Sequence, residues 1–445
     1  MSVLSKIFAG YFGTPILHAT CYETIHTWNP DCTMAMVNAT PHAFLFSLRT
    51  YGVFYLLSAL VRKGDPRKID YKRLIKDILR SSIFLTSNMI FLLFSLCFLR
   101  RTMGFYIWPT VSFVNSIAAS FFALLIENPT RRPMLALYLT NLASETLFRQ
   151  LVNHGYLRSY KNGEAIVFAI GLAIITYMYK RYGEKAGAMG KLIKTTHCLD
   201  NSNADIIDVN KLNSNSKLWF SILRNSFNKH PLCEHKHSCA SVAVESGLRN
   251  FTYGLGASLA LAVLKSLATP RKLLRNVFTV GILRLPCFAG ALPFIYHVVE
   301  CTLTRHLNAH TELIPALAAL VSGLAMLVYP SISVAMYVLW KAIEMIYHKL
   351  VEKNLALNFR HGDLLLYALS TGFVLGNVII EPHAVRKGYI NFLSGLTGNK
   401  LAVFNRRLFT PFGFDSSRVY DFMPKLNPRF ATINPDLYLP MSRPF

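Results

Sequence analysis

Charge is what this 445-residue chain has least of: 16% of its residues are charged, and only 23 are Asp or Glu. A soluble domain of this size coats its surface with roughly 25% charged residues, so the shortage excludes an ordinary water-soluble globule. Cysteine is also scarce, and eight of them over such a length do not frame a disulfide-built fold. Enzyme motifs are missing as well. The chain has no GxxxxGK[ST] loop, no GxSxG elbow, no HExxH pair and no HxxHH clusters. It therefore lacks the usual nucleotide cradle, acyl-transfer serine, zincin site and membrane di-iron centre, and we expect neither an enzyme nor a cofactor. The N-terminal "MSVLSKIFAGYFGTPILHAT" has no convincing cleavage site, and "SRPF" at the other end is no peroxisomal tripeptide. Targeting is thus expected to be internal.

What is there in quantity is apolar: 52% hydrophobic residues, punctuated by 47 Lys and Arg. The basic residues cluster between apolar runs, as in "VRKGDPRKIDYKRLIK", where they hold anionic lipid headgroups and anchor helix ends. No aromatic-interleaved basic stripe accompanies them, so nucleic acid is not an expected partner. Spanning a bilayer takes about 20 mostly apolar residues in a helix. Candidate spans are Ala43 to Val61, Ile83 to Leu99, Phe105 to Ile126, Ala165 to Tyr179, Phe251 to Leu264, Val277 to Val299, Leu313 to Val328 and Leu364 to Ile380. Two amphipathic stretches, Met134 to Val152 and Ser331 to Leu350, raise the count from eight to ten if they cross.

The chain repeats itself. Shifted by 199, "LYLTNLASETLFRQLVNHGYLRSYKNGEAIVFA" from Leu137 lies without a gap on "MYVLWKAIEMIYHKLVEKNLALNFRHGDLLLYA" from Met336, with seven of 33 positions identical. Upstream, "SLRTYGVFYLLSAL" aligns with "GLRNFTYGLGASLA". The expected organisation is an all-α multipass integral membrane protein in two tandem copies. It comprises a Cys-containing segment (1–40), a first membrane repeat (41–182), a polar Asn-rich loop (183–232), a second membrane repeat (233–381) and a polar tail (382–445). Lys/Arg bias favours neither an inverted ten-span nor a parallel eight-span arrangement.

Arg49, Arg249 and Arg284 sit in or beside apolar segments, and Glu145 and Glu344 occupy equivalent repeat positions. A charge at membrane depth costs roughly 3 kcal/mol or more. Pairing Arg49 with Glu145 and Arg249 with Glu344 within each repeat is the expected remedy; a substrate or proton path is the alternative. Gly254, Ser258 and Ala262, and likewise Ala319 and Gly323, form small-residue faces for close helix packing, inside one half or in a homo-oligomer. Two knots precede the repeats: "CYETIHTWNPDC" with Cys21, His26 and Cys32, and "HPLCEHKHSC" with Cys233, His235 and Cys239. Sulfur and imidazole suit zinc, but the spacing is not CxxC. A metal site, a disulfide and unpaired thiols stand as alternatives, and no metal is assigned.

The first knot, with "SLRTYGVFYLLSALVRK", "NLASETLFRQLVNHGYLRSYKNGEAIVF", "RKGYINFLSGLTGNKLAVFNRRLF" and "KLNPRFATINPDLYLP", resembles the transmembrane protein 135 family, also called peroxisomal membrane protein 52. The resemblance implies a multipass protein of mitochondrial and peroxisomal membranes that regulates mitochondrial fission/fusion balance and peroxisomal and fatty-acid metabolism. It also implies organelle-division machinery as a partner, and distant similarity to the Tim17/Tim22/Tim23 family of four-helix bundles. A transporter or channel for a lipid-related metabolite, or a translocase-like component, is the alternative.

Overall fold

The computed structural model describes residues 10–11, 13–183, 193–197, 206–207, 213–226, 229–233, 235–267, 279–309 and 311–432. Among them the architecture is helical, with one isolated β-bridge between Leu17 and Tyr106. The main helices are α1 (Cys32–Lys63), α2 (Tyr71–Met103), α3 (Phe113–Ile126), α4 (Arg132–Asn153), α5 (Gly163–Tyr182), α6 (Ser214–Asn225), α7 (Cys239–Leu267), α8 (Arg284–Leu307), α9 (Leu313–Ser322), α10 (Ile332–Glu352), α11 (Gly362–Ile380) and α12 (Lys387–Leu396). Local chemistry sets several boundaries. Asp31 and Asp70 cap α1 and α2 by accepting from the free amides of Thr33 and Arg73, and both helices stop at a left-handed glycine, Gly64 and Gly104.

Among the described residues six stretches are long and apolar enough to cross a membrane: Cys32–Leu60, Tyr71–Met103, Trp108–Ile126, Gly163–Tyr182, Gly281–Leu307 and Gly362–Ile380, where the sequence led us to expect eight to ten. The expected span from Leu313 tightens into a 3-10 turn at Gly323–Leu327 and is shorter than the others. At that turn the chain packs closely on α5, since a Cβ on Gly323 would fall on the backbone of Ala169.

The chain forms two compact units, one from Met1–Arg158 with Phe359–Phe445 and the other from Ser159–Asn358. In the first unit α1 packs on α2, α2 on α3, and α11 lies against both α3 and α4. In the second, α7 packs on α8, α8 on α9, and α5 lies against both α9 and α10. The division therefore differs from the sequence halves at 182 and 381: α5, from the first half, belongs to the second unit, and α11, from the second half, belongs to the first. Small residues make these fits. A Cβ on Gly171 would lie 2.9 Å from the Leu339 amide nitrogen, and one on Gly254 would lie 2.8 Å from the Pro286 Cα. Ala319 is fully buried, Ala262 nearly so, and Ser258 donates to the Ile282 carbonyl at 2.7 Å.

Two polar regions also depart from expectation. About half of the loop at 183–232 lies outside the described residues, and the rest includes α6. The segment after 381 is no loose tail: Phe404, Phe409 and Phe412 are buried in the first unit's core with Leu393 and Leu396 of α12. Residues 433–445 lie outside the described residues.

Candidate functional site

The two knots fold into two clusters of the same composition. In the first unit a short helix, Cys21–Thr24, is closed by a capping box between Thr20 and Glu23. The turn that follows brings Cys21 and His26 to Cys32, the first residue of α1. Cys97 of α2 completes the group, and one ligand atom from each of the four residues lies within 4.8 Å of all the others. In the second unit Cys233, His235 and Cys239, the first residue of α7, meet Cys301 of α8 within the same limit. Cys97 and Cys301 each stand six residues before the last residue of their helix. The sequence reading missed both, although each opens a Cys-x-Leu triplet near a helix end; their offset differs from that of the main repeat because loop lengths intervene.

The two imidazoles are held alike. His26 Nδ1 lies 2.8 Å from the Asn29 carbonyl, and His235 Nδ1 lies 2.7 Å from the His237 carbonyl. A carbonyl only accepts, so Nδ1 carries the proton and Nε2 offers its lone pair. His26 Nε2 is buried without a hydrogen-bond partner, whereas His235 Nε2 is 3.3 Å from Cys301 Sγ. Cys233 Sγ and Cys239 Sγ are 3.9 Å apart, and the Tyr106 hydroxyl donates to Cys21 Sγ at 3.2 Å. Hydrogen bonds from the Cys32 and Cys97 thiols hold Cys21 far below the ordinary thiol range, whereas burial first of all pushes Cys233 up to about 11.

The intramembrane charges are satisfied differently from expectation. Glu145 pairs with Arg149 at 2.7 Å and Arg386 at 3.8 Å instead of Arg49, which is exposed. Glu344 pairs with Lys341 at 2.6 Å and approaches His348 at 4.0 Å, while Arg249 donates to the Thr195 carbonyl at 2.6 Å. Arg284 is exposed at the start of α8. The reason is distance along a helix, where a base one turn away is already in reach.

Sequence reading also missed two deeply buried carboxylates, Glu127 and Glu245. Glu127 accepts from Ser81 at 2.8 Å and pairs with Arg131 at 3.3 Å; Arg131 also donates to Tyr55. In the second unit Glu245 is gripped by Arg224 of α6, Nε to Oε1 at 2.8 Å and Nη2 to Oε2 at 2.9 Å, with Ser241 donating to Oε1. Glu245→Ala should therefore cost about 3 kcal/mol, because Arg224 keeps its burial and loses its fork partner. Thermal unfolding of the purified protein checks this, and Glu245→Gln should recover part of the loss.

The first unit also holds an apolar groove with an empty volume of about 820 Å³, its open mouth included. Leu92, Leu375, Leu393 and Phe404 are among the residues that line it, and Lys400 stands beside Trp28 in the lining, Nζ 5.1 Å from the ring centroid. Two polar atoms of lining residues, Trp28 Nε1 and Thr371 Oγ1, are buried without a hydrogen-bond partner.

No solved structure matches the chain. Residues 18–152, which carry Cys21, His26, Cys32 and Cys97 together with α1 to α4, match the N-terminal cysteine-rich region of Transmembrane protein 135. Over these residues the chain is similar to the transmembrane protein 135 family, and its apolar helices make it a multipass membrane protein.

Proposed function

We propose that this protein is a non-enzymatic component of mitochondrial and peroxisomal membranes that couples fatty-acid and peroxisomal lipid metabolism to the balance of mitochondrial fission and fusion. The observation that carries the reading is the groove in the first unit. An apolar trough with a few polar atoms and one lysine suits a long acyl chain with an anionic head, the chain taken from the bilayer and the head held by Lys400 and Trp28. Occupancy by such an amphiphile would report lipid status to organelle-division machinery. We also read the two units as tandem copies of one Tim17-like bundle that have exchanged their fifth helices; the matching packing order within each unit supports this. A transport path lined by Arg49, Glu145, Arg249 and Glu344 draws no support from the geometry, because each expected ion pair takes other partners.

The test is co-purification. Wild-type protein extracted in mild detergent should carry an anionic acyl lipid detectable by mass spectrometry. Lys400→Glu should carry about tenfold less, a loss of about 1.4 kcal/mol in binding, and Leu393→Trp should carry none. In cells lacking the protein, neither variant should restore mitochondrial length, although both insert. Lipid content equal to wild type in both variants would refute the groove as the site.

A further inference from the structure

We propose that each unit contains a structural Zn²⁺ site of Cys₃His type, one formed by Cys21, His26, Cys32 and Cys97, the other by Cys233, His235, Cys239 and Cys301. Three observations converge. The first is distance. Tetrahedral zinc with Zn–S of about 2.3 Å places its sulfurs about 3.8 Å apart, and Cys233 Sγ and Cys239 Sγ stand at 3.9 Å. A disulfide would need about 2.05 Å. The second is the state of the imidazoles: in both clusters Nδ1–H donates to a backbone carbonyl and leaves the Nε2 lone pair free for a metal, the outer-shell arrangement that orients a metal-bound histidine. His26 is 1% exposed and its Nε2 has no hydrogen-bond partner, an orphan that a metal ion would satisfy. The third is recurrence. The same four ligands arise in both units from the same three places: the segment ahead of a long helix, which gives a cysteine and the histidine, the first residue of that helix, and a cysteine six residues from the end of the next.

Three soft thiolates with one imidazole at this spacing select zinc over the oxygen-preferring Mg²⁺ and Ca²⁺. Three thiolates and a neutral imidazole around one Zn²⁺ give each site a net charge of −1, and any cysteine still protonated releases its proton to solvent on binding. In the first site Tyr106 donates to one of the thiolates. The metal's work is mechanical: it ties the polar segment ahead of α1 to α2 and the one ahead of α7 to α8, where a few hydrogen bonds would otherwise do so.

Full-length protein, purified in detergent from cells under reducing conditions without added metal, should contain two zinc ions per chain by elemental analysis and native mass spectrometry. Cys97→Ser and Cys301→Ser should each lose one zinc, and the double variant both. Cys287→Ser, at an exposed thiol outside either cluster, should keep two. His26→Cys should also keep two, as a Cys₄ site. Should a serine variant fail to fold, mercurial titration of the wild type gives the same reading, releasing two zinc ions per chain. Iron with visible absorbance, a mapped Cys233–Cys239 disulfide, or no zinc in folded wild-type protein would overturn the proposal.

Discussion

Arg406→Met should destabilise the protein by about 3 kcal/mol or more and lower its unfolding midpoint in detergent by several degrees, with Arg406→Lys recovering only part. Arg406 is 1% exposed, the largest fully buried side chain among the described residues. Its guanidinium donates to three backbone carbonyls: Nη1 to Val378 at 3.0 Å and Ile379 at 2.5 Å, Nη2 to Leu401 at 3.1 Å. Val378 and Ile379 belong to the last turn of α11, where carbonyls have no intrahelical partner and the helix dipole is negative. Burial lowers the Arg406 pKa to about 10, so the group stays charged at neutral pH. Methionine matches the length and the apolar surroundings but leaves three buried acceptors unmet, each worth about 1 kcal/mol or more. Lysine offers a point charge that does not span the fork. A midpoint for Arg406→Met within a degree of wild type would show that these carbonyls find other donors.

Gly372→Leu should have an effect of similar size for a different reason. A Cβ on Gly372 would lie 2.9 Å from both the Cα and the amide nitrogen of Ile117. Those atoms are backbone, and a rotamer change in Ile117 does not move them. α11 and α3 would have to separate, opening the interface that also seats Gly376 against Phe113. Over-packing of this kind costs about 3 kcal/mol, and even Gly372→Ala should be measurably harmful. Gly388, whose added Cβ meets nothing within 4 Å, is the control, and Gly388→Ala should be close to neutral. Aggregation-monitored thermal scans of the three variants decide the matter.

Much of the fold was legible because its signals are local. Apolar runs of adequate length marked α1, α2, α5, α8 and α11, and Asp31, Asp70, Gly64 and Gly104 stand where α1 and α2 begin or stop. The tail misled because its polar residues are interleaved with Phe404, Phe409 and Phe412, which enter the core through tight 3-10 turns that carry no periodic pattern. At the candidate metal sites six of the eight ligands were visible as two knots. Cys97 and Cys301 were not, since a lone cysteine in an apolar helix looks like any small hydrophobe. The expected ion pairs failed for the opposite reason: repeat symmetry suggested partners far along the chain, while Arg149 and Lys341 lay within one helical turn.

By itself the sequence determined that the chain is helical and membrane-embedded, because hydrophobicity and capping are written residue by residue. Only the tertiary structure decided that α5 and α11 join the unit opposite to their sequence half, that the last segment closes the first unit through Arg406, and that each knot gains a fourth ligand from a neighbouring helix. Those outcomes depend on which apolar faces fit at backbone distance, and shape complementarity between segments some 200 residues apart leaves no local trace.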